Sequence, residues 1–292
     1  MMRYRTRIRI DYAFAFPAAE GRQLLRLAPR EMAGVQRVIR SEVRVEPGAE
    51  VAGFTDFFGN AVEEVALPGG LREVAFIAEA EVERHAPLAP GRAVALGAMA
   101  AEVAAVRGLG PEVPHHFTGA SPRIPESAAI TAFARDAAGG DALATVLGLG
   151  AAIHGAMTFD AAATTVETPP EEAFARRIGV CQDFAQVMIA GLRGLGVPAA
   201  YVSGLIRTVP PPGQPRLEGA DAMHAWVAAW CGRECGWVEY DPTNACLVGA
   251  DHVVIARGRD YGDVAPVAGV LRLAGGQVSG HAVDVVPLED RR

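Results

Sequence analysis

Cys181, His224 and Asp241 are the residues of this sequence whose types and settings can do covalent chemistry together. Cys181 stands in GVCQDFAQ, at the start of an apolar-periodic run whose spacing predicts a helix. A thiol attacks only as its thiolate, and free cysteine titrates at about 8.5. A helix N-terminus favours that anion, because its first N–H groups are unpaired and its dipole end is positive. The same amides can hold the oxyanion of an acyl-transfer intermediate. Asp183, two residues on, opposes a thiolate unless it points away as a first-turn acid.

A thiolate nucleophile needs a base. His224 lies in DAMHAWVAAW, where a strand places His224, Trp226 and Ala228 on one face and Ala225, Val227 and Ala229 on the other. The segment GWVEYDPT predicts the next strand. A hairpin closed at Cys231–Gly236 brings Asp241 to the same end as His224. The aspartate then binds one imidazole nitrogen and leaves the other for Cys181. Each residue alone has a plainer explanation: an inert buried thiol, a satisfied core histidine, an Asp-Pro turn. Their joint placement is what argues for a triad. Gln182 and Asp183 beside the thiol, Trp226 on the histidine strand, and His154 and Phe159 upstream are the further candidates for the cleft.

The elements that must position these groups are legible in outline. Residues 1–88 read as β-rich. Tyr4, Thr6, Ile8 and Ile10 alternate with arginines, and three more runs, over residues 35–45, 61–69 and 72–84, are strand-like, which predicts an antiparallel sheet or sandwich. Prolines and glycines mark residues 89–125 as a connecting segment. From residue 126 to 292 the texture is α+β: helices over ESAAITAFARDAAG, DALATVLGLGAAIHGAMTF, EEAFARRIG and CQDFAQVMIAGLRGLG, then strands AAYVSGLIRT, MHAWVAAW and GWVEYDPT, with a proline-rich loop at 210–215. The charge-free stretch 142–159 is short for a membrane span and is expected to be a buried helix.

At the three chemical blocks the sequence resembles the bacterial transglutaminase-like superfamily. GVCQDFAQVMIAGLRGLGVPAAYVSGLI, HAWVAAW and GWVEYDPTN match its cysteine, histidine and aspartate blocks in order and spacing, and GRDYGDVAPVAG is similar to a later bacterial segment. LRLAPR and DFFGN resemble the companion N-terminal β-domain. The resemblance implies a sandwich-like β-domain followed by a papain-like transglutaminase fold. In it Cys181 is the nucleophile, His224 the base and Asp241 its orienter. The family transfers acyl groups through a thioester to an amine or to water, so a peptide or protein amide is the implied substrate. Hydrolysis is the expected outcome; amine transfer and a non-catalytic binding module remain the alternatives. Cross-linking members carry an aromatic directly after the cysteine, where this chain has Gln182. Where bacterial relatives often carry a tyrosine, this chain has Phe159, which lacks a hydroxyl, leaving His154 or the Cys181 N–H as the expected oxyanion donor.

Composition narrows the rest. The chain has 292 residues, half of them hydrophobic, enough for a large core without metal or disulfide. A net charge of −7 argues against nucleic-acid or anionic-membrane partners. Every basic side chain other than histidine is arginine, so the protein offers no lysine to an acyl donor. Four cysteines are too few for a disulfide scaffold, and with no signal-like start the expected location is cytoplasmic. Cys231, Cys235 and Cys246 lack zinc-site spacing, and no cofactor motif is present, so neither metal nor cofactor is expected.

Overall fold

The computed structural model describes residues 1–208, 219 and 221–288. The proline-rich loop at 210–215 lies outside the described residues. Strand β1 (Met2–Phe14) shows the expected alternation: Tyr4, Thr6, Ile8 and Ile10 are buried, and Arg5 and Arg7 face water. It is followed by β2 (Gly21–Leu25), β3 (Gln36–Glu46), β4 (Glu50–Thr55), β5 (Ala61–Leu67) and β6 (Glu73–Arg84). The short strands β2 and β4 are missing from the sequence reading, since neither carries a long alternating run.

The second half begins with α1 (Met99–Ala105), α2 (Ala128–Asp136) and α3 (Ala142–Ala156). Next come β7 (Thr158–Phe159), α4 (Pro170–Arg176), β8 (Ile178–Gly179) and α5 (Cys181–Gly194). The strands β9 (Ala199–Ile206), β10 (Ala222–Trp230), β11 (Trp237–Asp241), β12 (Cys246–Leu247) and β13 (His252–Gly258) follow. The chain then forms α6 (Tyr261–Val264), β14 (Val267–Leu271) and β15 (Gln277–Leu288). No helix among the described residues is long and apolar enough to cross a membrane.

Three antiparallel sheets organise these elements. Two of them, ordered β15-β1-β6-β3 and β14-β2-β5-β4, carry the N-terminal strands. Ile10, Phe14 and Phe76 from the first and Leu25, Val65 and Leu67 from the second share one apolar core. The third is ordered β12-β11-β10-β9-β13. Helix α5 lies against it and is buried from Gln182 to Arg193, with α2, α3 and α4 packed around it. The two faces of β10 separate as its alternation predicts: Ala225, Val227 and Ala229 join the core under α5, while Trp226 and Ala228 join a second cluster with Phe117 and Val254.

The division of the chain at residue 126 needs correction at its far end. Residues 267–288 belong with the N-terminal sheets, since β15 runs along β1 from Phe14 to Arg3 and β14 pairs with β2. The reason is an open edge. Strand β1 has β6 on one side only, and β15 satisfies the backbone groups on the other. Segment 89–125 is likewise packed rather than free. Val94 N–H donates to Cys231, and Trp237 donates its indole N–H to the Glu112 carbonyl.

The N-terminal half also closes an edge of the third sheet. Strand β13 is outermost there, and its free side is met by two buried side-chain amides acting as a substitute strand. Gln36 donates to the Val254 carbonyl at 2.7 Å and accepts from its N–H at 2.9 Å. Asn60 does the same at Arg257, with distances of 2.9 and 2.8 Å. Buried backbone groups are thereby paired where no strand is available.

Candidate active site

The nucleophile candidate is placed by its helix and by a small parallel ladder. Phe159 of β7 pairs with Gly179 of β8, which ties the end of α3 to the residues just before Cys181. Val180 caps α5, and the N3 residue Asp183 folds back to accept the Val180 N–H at 2.8 Å. The same Asp183 oxygen accepts the Thr164 hydroxyl at 2.6 Å. Gly179 is required here, because a Cβ would strike the Asp183 carboxylate. Asp183 is therefore a capping acid directed at backbone. Burial pushes its pKa up, and the bonds from Thr164 and Val180 oppose that. At the other end of α5, the buried Arg193 guanidinium binds the carbonyls of Ala199, Gly119 and Arg259. The helix is thus fixed at both termini, with Cys181 partly exposed at its head.

His224 and Asp241 meet as the hairpin requires. Strands β10 and β11 pair Val227 with Tyr240 and Trp230 with Trp237. His224 Nε2 lies 2.7 Å from Asp241 Oδ2. An ionised carboxylate only accepts, so Nε2 carries the proton and Nδ1 is the nitrogen left for the thiol. Burial alone would lower the His224 pKa. Hydrogen bonds to Asp241 and to the Cys181 thiol raise it instead, to about 10. Asp241 is fully buried. Burial would raise its pKa, but the bonds from His224, His252 and Asn244 and the His224 charge hold it well below the usual carboxylate range.

Residues outside the sequence-level triad complete the setting. Asp241 Oδ1 accepts the Thr243 and Asn244 N–H groups at 2.9 and 3.1 Å. Its Oδ2 accepts the Asn244 amide at 2.7 Å and His252 Nε2 at 3.2 Å. Asn244 follows Asp241 in DPTN, and nothing in that spacing marks it as a partner of the carboxylate. Nothing local in the sequence marks His252, because the strand it opens, β13, is buried throughout and shows no alternation. His224, Asp241 and His252 have the composition of a metal site, and their donor atoms lie within 4.8 Å of one another. Those atoms are engaged with each other, with three donors already on Oδ2.

The remaining candidates sit around this centre in different ways. Gln182 is buried and donates to the Val166 carbonyl at 3.3 Å, tying the 160–169 loop to the head of α5. Trp226 does not line an open cleft. It is fully buried, with its ring 5.2 Å from His252 and 6.2 Å from His224, and it forms a platform behind them. Gly204 on β9 makes room for that indole, which a Cβ would strike. His154 is exposed and binds the Thr243 carbonyl at 3.0 Å, beside the Asp241 turn. Phe159 is exposed next to Gly179, on the rim near Cys181. Cys231, Cys235 and Cys246 are free thiols, and burial raises the pKa of each.

Residues 131–242, which hold all three triad candidates, match the transglutaminase-like superfamily core, and residues 4–83 match the bacterial transglutaminase-like N-terminal region. The chain belongs to the transglutaminase-like superfamily. A solved structure from Cytophaga hutchinsonii, described as a candidate cysteine protease, aligns over 100% of this chain and 92% of its own length. The TM-score is 0.78 at 20% identity, a likeness of fold. An uncharacterized protein of Mycobacterium tuberculosis is 43% identical over 145 residues, 48% of this chain and 46% of that protein. One from Mycobacterium leprae is 41% identical over 95 residues, 32% of each chain. This transglutaminase-like chain thus matches about half the length of the M. tuberculosis relative.

Proposed function

We propose that this transglutaminase-like protein is a thiol-dependent amide or peptide hydrolase. The observation that carries the proposal is the His224–Asp241 bond of 2.7 Å, which fixes Nε2 and leaves the other imidazole nitrogen to a thiol at a helix N-terminus. The raised His224 pKa supports an imidazolium beside the thiolate over the neutral range.

The chemistry follows from these groups. The Cys181 thiolate adds to the substrate carbonyl carbon, and the carbonyl electrons move to oxygen. The first-turn N–H groups of α5 are the oxyanion donors this chain offers. The tetrahedral intermediate expels the amine, which takes the proton from His224. A thioester on Cys181 remains. His224, now neutral, takes a proton from water as water attacks the thioester, and the carboxylate product leaves with the thiolate restored. Asp241 stays ionised throughout and holds the imidazole in place.

The test is to incubate the protein with a library of peptides and primary amides, follow amine or ammonia release, and read the intact mass for an acyl adduct. The proposal expects release that depends on Cys181 and an adduct absent from Cys181→Ala. Uptake of a primary-amine probe faster than hydrolysis would reassign the acceptor from water to amine. Full turnover by Cys181→Ala would remove the mechanism.

A further inference from the structure

The bonds that reach Asp241 differ in where they come from. The Thr243 and Asn244 donors belong to the same turn as Asp241 and move with it. His224 is the group to be oriented. His252 is the donor that comes from a different strand, β13, and so fixes the Asp241 turn relative to the sheet. Its Nδ1 is buried and has no hydrogen-bond partner among the described residues. A buried nitrogen left unpaired is a liability that an apolar side chain in the same place would avoid. The ring is therefore hard to explain as filling for the space beside Trp226.

His252 is itself held from the N-terminal half. The residue before it, Asp251, accepts the buried Tyr4 hydroxyl of β1 at 2.6 Å and pairs with Arg207 at 3.2 Å. Two residues after it, Val254 is bracketed by Gln36. On its inner side the ring stands edge-on to Trp226. A continuous set of bonds thus runs from β1 through Asp251 and His252 to Asp241 and His224.

We infer that His252 is a positioning residue: its Nε2–H holds the Asp241 carboxylate where His224 needs it, and the N-terminal sandwich acts as a brace for His252. The inference rests on the triad reading above. It gives the N-terminal region a task inside the chemistry, beyond any surface it offers to substrates.

The test compares full-length wild type with His252→Phe, His252→Gln and Tyr4→Phe. Phenylalanine keeps a ring against Trp226 and removes the donor. Glutamine restores an N–H donor. Tyr4→Phe removes only the buried hydroxyl. The readout is the rate of Cys181 alkylation by iodoacetamide across pH 6–9, by mass spectrometry, with far-UV circular dichroism to check folding. A misplacement at this scale costs roughly tenfold to a hundredfold. The expected result is a loss of that size in His252→Phe at neutral pH with a displaced pH midpoint, recovery of both in His252→Gln, and a smaller loss in Tyr4→Phe. A folded His252→Phe with the wild-type profile would overturn the inference, as would equal losses in the phenylalanine and glutamine variants, which would assign shape rather than donation. Should His252→Phe not fold, Tyr4→Phe decides, and wild-type rates in it would overturn the brace. The two readings fail separately. A wild-type Cys181 with no His224-dependent reactivity removes the triad and this inference together. An intact triad response with an indifferent His252 removes only the latter.

Discussion

Cys181, His224 and Asp241 carry the account at the level of single residues, and each makes a different prediction. Cys181→Ala removes the proposed nucleophile and is expected to lower turnover on the order of a millionfold, as in other triads. Asp241→Asn keeps the shape but loses the charge, and is expected to cost roughly 10⁴-fold. The pH dependence follows from the raised His224 pKa of about 10. The imidazolium that protonates the leaving amine is lost as pH rises through that value, so kcat/KM should fall on the alkaline side near it. In Asp241→Asn that limb should move down toward the ordinary imidazole range of about 6.5. The same sign holds for stability. The His224 contribution is complete below about 6.5 and disappears as pH rises through about 10. The Asp241 contribution is complete above about 3.9 and disappears as pH falls toward its lowered value. Urea titrations of wild type and His224→Ala across pH 6–11 read the first of these directly. A wild-type curve that tracks the variant over that range would contradict it.

Two elements present the proposed chemistry, the α5 helix and the β10–β11 hairpin, and both are readable because their signals are local. Apolar spacing places the start of α5 at Cys181, and the strand alternation around Trp226 with the glycine-bearing turn sets the hairpin register. What the sequence left unread depends on contacts far along the chain. The bond from His252 to Asp241 spans a loop and needs β13, whose seven residues are all buried and show no alternation. The direction of the Asp183 side chain is likewise set by its capping bond from the Val180 N–H, which residue spacing alone does not show. Asp183→Ala should therefore lose both the Val180 and Thr164 bonds and cost about 1–2 kcal/mol in urea denaturation. Asn60→Ala should leave the Arg257 N–H and carbonyl buried and unpaired, at about 2 kcal/mol or more. A change within a few tenths of a kcal/mol in either variant would mean that water takes over those bonds.

Over the whole molecule, the chain is arranged as two β-rich and α+β parts that share strands and edges. The alternation of β1 and the helical texture after residue 126 foretold both parts. The return of β14 and β15 to the first part could not be read, because pairing between the two ends of a chain leaves no mark in local spacing. The consequence is mechanical. Residues 89–292 without the N-terminal strands would leave β15 unpaired along β1's place and expose the outer edge of β13. Such a fragment is expected to aggregate or lose its fold, as judged by size-exclusion chromatography and circular dichroism. A stable, monomeric, thiol-reactive fragment would show that the sandwich is dispensable.

The central claim is that Cys181 is held as a primed thiolate by His224. The most direct measurement is its rate of alkylation by iodoacetamide against pH, in wild type and His224→Ala, with Cys231, Cys235 and Cys246 as internal references. The account predicts that Cys181 reacts fastest of the four well below pH 8 and loses that lead in His224→Ala. A Cys181 that reacts no faster than partly exposed Cys235 and Cys246, or that keeps its rate without His224, would contradict it.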